Sequence, residues 1–203
     1  MRGDKDTRYR EEVDRLGRPT IEMLDREIVR LDKNESYRRL MLDVLVGLLV
    51  AVAAIIIVTN LWLAVLQVDG SSMNPRLQMD DIVLAVRTDQ PAKNDVIAFY
   101  NNNRIYVKRV IALGGDTVSI GADGTVSVNG RALSEPYVTA HSLGDSDLVY
   151  PYQVPSGTVF VLGDNRPTAI DSRNSTFGTI SKDKIIGRIV FRLWPFMRIG
   201  ITS

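Results

Sequence analysis

Three patterns of hydrophobic and polar positions succeed one another along the chain. Residues 1–43 are dense in charge of both signs. Within them Ile21, Leu24, Ile28 and Leu31 recur at helical spacing behind Pro19-Thr20, which predicts an amphipathic helix capped by Thr20. From Val44 to Val68 no charge interrupts "VLVGLLVAVAAIIIVTNLWLAVLQV". A bilayer core about 30 Å thick takes roughly 20 helical residues, so this run predicts a transmembrane helix over 44–68. Trp62 lies toward one end of it, as an interfacial aromatic does. The run is too long for a signal peptide and sits behind the charged tail.

Beyond Val68 the period shortens. "DIVLAV", "DVIAFY", "RIYVKRVIAL", "GTVSVNGRAL", "GTVFVLGD" and "KIIGRIVFRL" are short runs rich in β-branched and aromatic residues, separated by Gly, Asp, Asn and Pro. Asn129-Gly130 predicts a two-residue hairpin, because both turn positions need positive φ. No long helix and no repeat is expected after the span. The fold expected is mainly β: an antiparallel β-sheet or barrel-like domain over 69–203, on a single N-terminal transmembrane helix with a charged helical tail.

Charge orients this arrangement. Arg26, Arg30, Lys33, Arg38 and Arg39 precede the span closely, and only Arg76 and Arg87 follow it within about 20 residues. The tail is therefore expected in the cytoplasm and residues 69–203 outside, in a single-pass protein of the cell membrane. A net charge of +1 gives no reason to expect nucleic acid as a partner. The absence of cysteine excludes disulfides, thiol catalysis and cysteine metal sites. A single histidine, His141, excludes a centre built on several imidazoles. No metal and no cofactor is expected.

Candidate chemistry begins at "VDGSSMNPRL", where Ser71 and Ser72 follow the apolar run. A serine hydroxyl needs a base to become a nucleophile. His141, in the polar loop "TAHSLGDSD", has no aligned carboxylate and reads as a solvated side chain. Lys108 lies in a strand pattern, on one face with Tyr106 and Val110. If buried, apolar neighbours would lower its pKa and leave a neutral amine able to act as base. The strand pattern alone favours an exposed lysine on a solvated face.

Three boxes taken together resemble the type I signal peptidases, membrane-anchored Ser/Lys proteases that remove signal peptides from exported proteins. "GSSMNPRL" is similar to their nucleophile box, "YVKRVIALGGDTV" to their general-base box, and "LGDNRPTAIDSRNSTFG" to a downstream box. The ending "FRLWPFMRIG" is similar too. The resemblance covers the span and nearly all of the outer domain, but not the tail. It implies Ser72 as nucleophile and Lys108 as base. It implies the Ser72 backbone N–H as oxyanion donor, with Gly70 the other candidate position. Some members carry a serine at that position whose hydroxyl adds a donor. Met73, Leu77, Tyr106 and Val107 match substrate-pocket positions. Asp164, Arg166, Asp171 and Arg173 are implied as structural support, and about 119–158 as a cap-like insertion. Preproteins with small residues before the cut are the implied substrates, the bilayer a partner, and a monomer the implied state.

Three departures from the family pattern stand out. Arg76 replaces a common threonine. Ala169 replaces a serine that often orients the lysine. "LGGD" lacks a common proline. If Ser71 and Ser72 lie on an extended segment, they point to opposite faces. Counted from the end of the run at Val68, Ser72 should sit within roughly 20 Å of the span. Two other readings stay open here: a catalytically silent, membrane-anchored module that binds exported proteins, and a self-cleaving repressor. The latter is at odds with the uncharged run.

Overall fold

The computed structural model describes residues 3–17 and 20–202. It divides into two units, the first ending at Ile56 and the second beginning at Ile57. In the first, α1 spans Gly3–Leu16, and α2 begins at Ile21 and runs on to Trp62. The Thr20 carbonyl accepts the N–H groups of Met23 and Leu24 at 2.8 and 3.2 Å, so α2 starts where the sequence pattern places it. Pro19 lies outside the described residues. No proline interrupts α2, so the amphipathic segment continues into the apolar one. Its stretch Tyr37–Trp62 is long and apolar enough to cross a membrane, and none of the apolar window is buried in protein.

The helix stops before the apolar run does. Leu63–Gln67 forms β1, paired in register from Leu63↔Val86 to Gln67↔Ile82. A short apolar segment reads the same as buried strand or as helix, so the run conceals this switch. Ser72 thus follows a strand. About ten residues separate it from the helix end, a reach of at most about 33 Å rather than roughly 20 Å.

The remaining strands are β2 (Ile82–Val86), β3 (Val96–Asn101), β4 (Arg104–Leu113), β5 (Thr117–Ile120), β6 (Val126–Val128), β7 (Arg131–Ala132), β8 (Tyr152–Gln153), β9 (Thr158–Leu162), β10 (Ile180–Ser181), β11 (Ile185–Trp194) and β12 (Gly200–Ile201). The main sheet runs β1-β2-β11-β3-β4-β9-β10, with β12 on β11, and its pairings are antiparallel. This corrects the barrel-like expectation. The path ends at β1 and β10, which do not pair, so the sheet is open. Closure needs a last strand that can ladder with the first, and β10 is two residues long. A second sheet, β7-β6-β5-β8, lies largely within the expected insertion. Its hairpin turns at Asn129 (φ +53°) and Gly130 (φ +77°), as the sequence requires.

Alternation along these strands builds three apolar clusters. Ile111, Phe160 and Leu162 join the second sheet's Val118, Val126 and Val128 in one. Met73, Leu77, Val83, Ala85, Val96 and Ala98 form another. Ile97, Phe99, Val110, Val159 and Val161 form the third. The chemistry-bearing residues lie where strands β4 and β9 meet the loop after β1.

Candidate active site

Ser72 sits on a single hydrogen-bonded turn. The Asn74 N–H reaches the Ser71 carbonyl at 3.1 Å and the Leu77 N–H reaches Met73 at 3.0 Å. Gly70, at φ +92°, turns the chain into it. The extended geometry expected for Ser71 and Ser72 is therefore corrected: Pro75 has no N–H for a ladder, and the local bonds favour a turn. Met73 and Leu77 anchor this turn in the core beside half-buried Val107. The Ser71 and Ser72 carbonyls accept from the Asn165 side chain and N–H at 3.1 and 2.9 Å. Among the described residues, nothing accepts the Ser72 N–H.

Lys108 pairs with Ile97 across β3–β4 and is 2% exposed. Its alternate neighbours Tyr106 and Val110 belong with Ile97 and Phe99 to one cluster, so the lysine lies on an apolar face and not a solvated one. Burial lowers its amine from 10.5 to about 8. Asp171 pulls back upward, Arg173 downward, and Asp164 upward.

Gly163, just after β9, joins the two. A Cβ there would lie 2.6 Å from the Ser72 carbonyl oxygen, 3.4 Å from the Lys108 Nζ and 2.5 Å from the Ala169 Cβ. Only a hydrogen fits, and the serine and lysine converge on that point. The Ser72 hydroxyl and the Lys108 amine make no side-chain hydrogen bond among the described residues.

Three buried forks frame this junction. Asp171 takes the Arg173 Nε and Nη2 at 2.8 and 2.9 Å, and its Oδ2 also accepts the Gly163 N–H at 3.0 Å. The pair sits on a turn. Arg109 forks Asp164 at 2.8 and 2.6 Å, and Arg166 forks Glu135 at 3.1 and 2.6 Å. The Arg109 guanidinium lies 3.9 Å over the Tyr137 ring. Sequence reasoning missed Arg109, Glu135 and Tyr137. A signal existed for Arg109, because an arginine inside an apolar strand needs a carboxylate. None existed for Glu135.

The expected substrate-pocket residues divide. Met73, Leu77 and Val107 share one cluster, whereas Tyr106 packs against Phe99 and Phe177. Arg76 donates through Nε to the Thr202 carbonyl at 3.1 Å. Ala169 is buried and Thr168 exposed. His141 is exposed.

The family model described as signal peptidase, peptidase S26, matches residues 41–194. The chain belongs to this family. It is similar to signal peptidase IB of Staphylococcus aureus strain N315, 34% identical over 177 residues, covering 77% of this chain and 91% of that protein. Signal peptidase I of Bacillus amyloliquefaciens is 32% identical over 179 residues, covering 83% and 96% respectively. The crystal structure of a signal peptidase I from Enterococcus faecalis V583 is 34% identical and covers 49% of this chain and 96% of that one, at TM-score 0.41. Membership makes this chain a serine endopeptidase that removes signal peptides, and the family's mechanism is a Ser/Lys dyad. The silent-module reading is not favoured.

Proposed function

We propose that Ser72 and Lys108 are that dyad. The carrying observation is their convergence on Gly163, with the lysine buried and its pKa lowered to about 8. A neutral Lys108 amine takes the proton as the Ser72 Oγ attacks the scissile carbonyl. The Ser72 N–H donates to the developing oxyanion. The lysine then protonates the leaving amine, and a water deprotonated by the same amine releases the acyl group from the serine. One chain supplies both groups, which supports a monomer as the working unit. Shallow walls near Met73, Leu77, Tyr106 and Val107 would exclude bulky side chains before the cut.

The anchor fits this reaction. With Tyr37–Trp62 in the bilayer and its arginine-rich flank in the cytoplasm, the catalytic domain lies outside the plasma membrane. The half-exposed Trp194 and exposed Phe196 and Met197 offer apolar surface for lipid. Arg192, from the same region, holds the Arg76 carbonyl of the nucleophile turn at 2.7 Å. Tethering enzyme and preprotein to one membrane raises their effective concentration. The test is cleavage of a membrane-bound preprotein with an Ala-X-Ala site by wild type, Ser72→Ala and Lys108→Ala. Turnover by either variant would refute the assignment of that residue.

A further inference from the structure

Glu135 belongs to none of the motifs in the sequence. It lies in the loop leaving β7 of the second sheet, and its side chain is 1% exposed. A buried ion pair is weak evidence for stability, since an apolar pair of similar volume often holds a fold as well. The third donor of Arg166 indicates what this pair does. Its Nε reaches the Gly163 carbonyl at 3.0 Å. Gly163 is the residue against which the Ser72 carbonyl and the Lys108 amine both pack.

The two peptide groups of Gly163 are thus gripped from two sides. Asp171 holds its N–H at 3.0 Å, and Arg166 holds its carbonyl. Asp171 is oriented by Arg173 of its own loop, but Arg166 is oriented by Glu135 from the second sheet. Tyr137 reinforces this grip. Its hydroxyl donates to Glu135 Oε1 at 3.0 Å, and its ring lies beneath the Arg109 that forks Asp164, the residue after Gly163. Burial pushes the Tyr137 phenol upward, and the Glu135 charge adds to this, so it stays a donor.

We infer that Glu135 is a positioning residue for peptide hydrolysis. By orienting Arg166 it fixes Gly163, and with it the spacing between Ser72 and Lys108. This rests on the assignment of the dyad. The charges acting most on Lys108 are Asp171, Arg173 and Asp164, so Glu135 works through geometry and not through the lysine's ionisation. The loop leaving the second sheet therefore orients one of the two grips on the catalytic junction.

The test compares full-length wild type, Ser72→Ala, Glu135→Gln and the apolar pair Glu135→Leu/Arg166→Met, each in detergent with an Ala-X-Ala peptide. The apolar pair removes both buried charges together and is expected to melt near wild type. Its kcat should fall roughly 10- to 100-fold with KM unchanged, the scale of a reacting group displaced by about 1 Å. Glu135→Gln keeps the volume and one acceptor for Arg166, so its kcat should fall less, and it serves if the double variant does not fold. A folded variant whose kcat stays within about threefold of wild type, or whose loss lies only in KM, overturns the inference. An active Ser72→Ala sinks the dyad and this inference together. An inactive Ser72→Ala beside a fully active Glu135 variant sinks the inference alone.

Discussion

Ser72 and Lys108 are held in opposite ways. Lys108 stands in a strand paired on both sides, almost wholly buried on an apolar face. Ser72 rides on one turn at the rim, half-buried, pegged by Met73 and Leu77 and held by Asn165. The difference shows where each property originates. A base with a lowered pKa must be kept from water, whereas a nucleophile must meet its substrate and needs aim more than depth. Damage at the lysine should therefore register in pH dependence and stability as well as rate, and damage at the serine in rate alone.

Removing each group in turn has the largest effect and tests this contrast directly. Ser72→Ala and Lys108→Met should each lower kcat/KM at least about a thousandfold. Their stabilities should part. Ser72→Ala should change unfolding free energy by less than about 0.5 kcal/mol. Lys108→Met should raise it at neutral pH by up to about 3 kcal/mol, because the wild-type fold must bury a lysine that prefers its charged form. Below about pH 8 that penalty is complete. It shrinks as pH rises toward the unfolded value of 10.5, where both states are neutral. Denaturant melts at neutral and strongly alkaline pH should show the advantage of the variant disappearing. Wild-type kcat/KM should rise through about pH 8 and then level. A flat profile, with chemistry rate-limiting, would break the contrast.

Gly163→Ala comes next. The added methyl would meet the Ser72 carbonyl at 2.6 Å and the Ala169 methyl at 2.5 Å, so the turn, the strand end or both must move. Overpacking of this kind costs about 1–3 kcal/mol. The rate should fall about a hundredfold or more, since the displaced groups are the reacting ones. Peptide turnover together with a thermal melt separates the two effects. Full activity would show that the junction is softer than its contacts imply.

How far these features could be read from sequence differs between the same two regions. The lysine strand was legible because "RIYVKRVIAL" is a run rich in β-branched and aromatic residues with no Gly or Pro to break it, and β4 occupies that stretch. The serine's turn was not, because its shape depends on Gly70, Pro75 and pegs into a core built by distant strands. β1 was hidden for a related reason: four apolar residues and one glutamine after an apolar helix carry no period of their own. Pairs as short as β8, β10 and β12 leave little local signal. The open sheet could not be foreseen, since strand content is the same whether or not the ends meet. The downstream box announced Asp171 and Arg173, but Glu135 approaches Arg166 from 31 positions away and nothing local marks it.

Asp171→Asn should act on stability more than on rate. It leaves Arg173 buried without its counter-charge, a loss of about 3–5 kcal/mol. It also removes the carboxylate that raises the Lys108 pKa, while Arg173, which lowers it, remains. The midpoint of the pH–rate profile should therefore move to lower pH. Movement to higher pH would mean that increased water access to the lysine outweighs the lost charge.

The smallest effect should come from Ala169→Ser, and it asks whether the lysine is aimed by packing alone. Ala169 is 3% exposed, and its methyl presses on the same side of Gly163 as the Lys108 amine. A hydroxyl there would be added on the side of Gly163 that the Lys108 amine occupies. If packing leaves the amine some freedom, the new hydrogen bond should raise kcat a few-fold, about 1 kcal/mol in the transition state, with little change in KM. If the β4 ladder and the grip on Gly163 already fix the amine, the hydroxyl gains nothing in rate. Left buried without a partner, it would then lower the melting point, by about 1–3 kcal/mol of stability. A gain in kcat would make aim a shared need of base and nucleophile. An unchanged kcat with a lower melting point would leave depth as the property that sets the lysine apart.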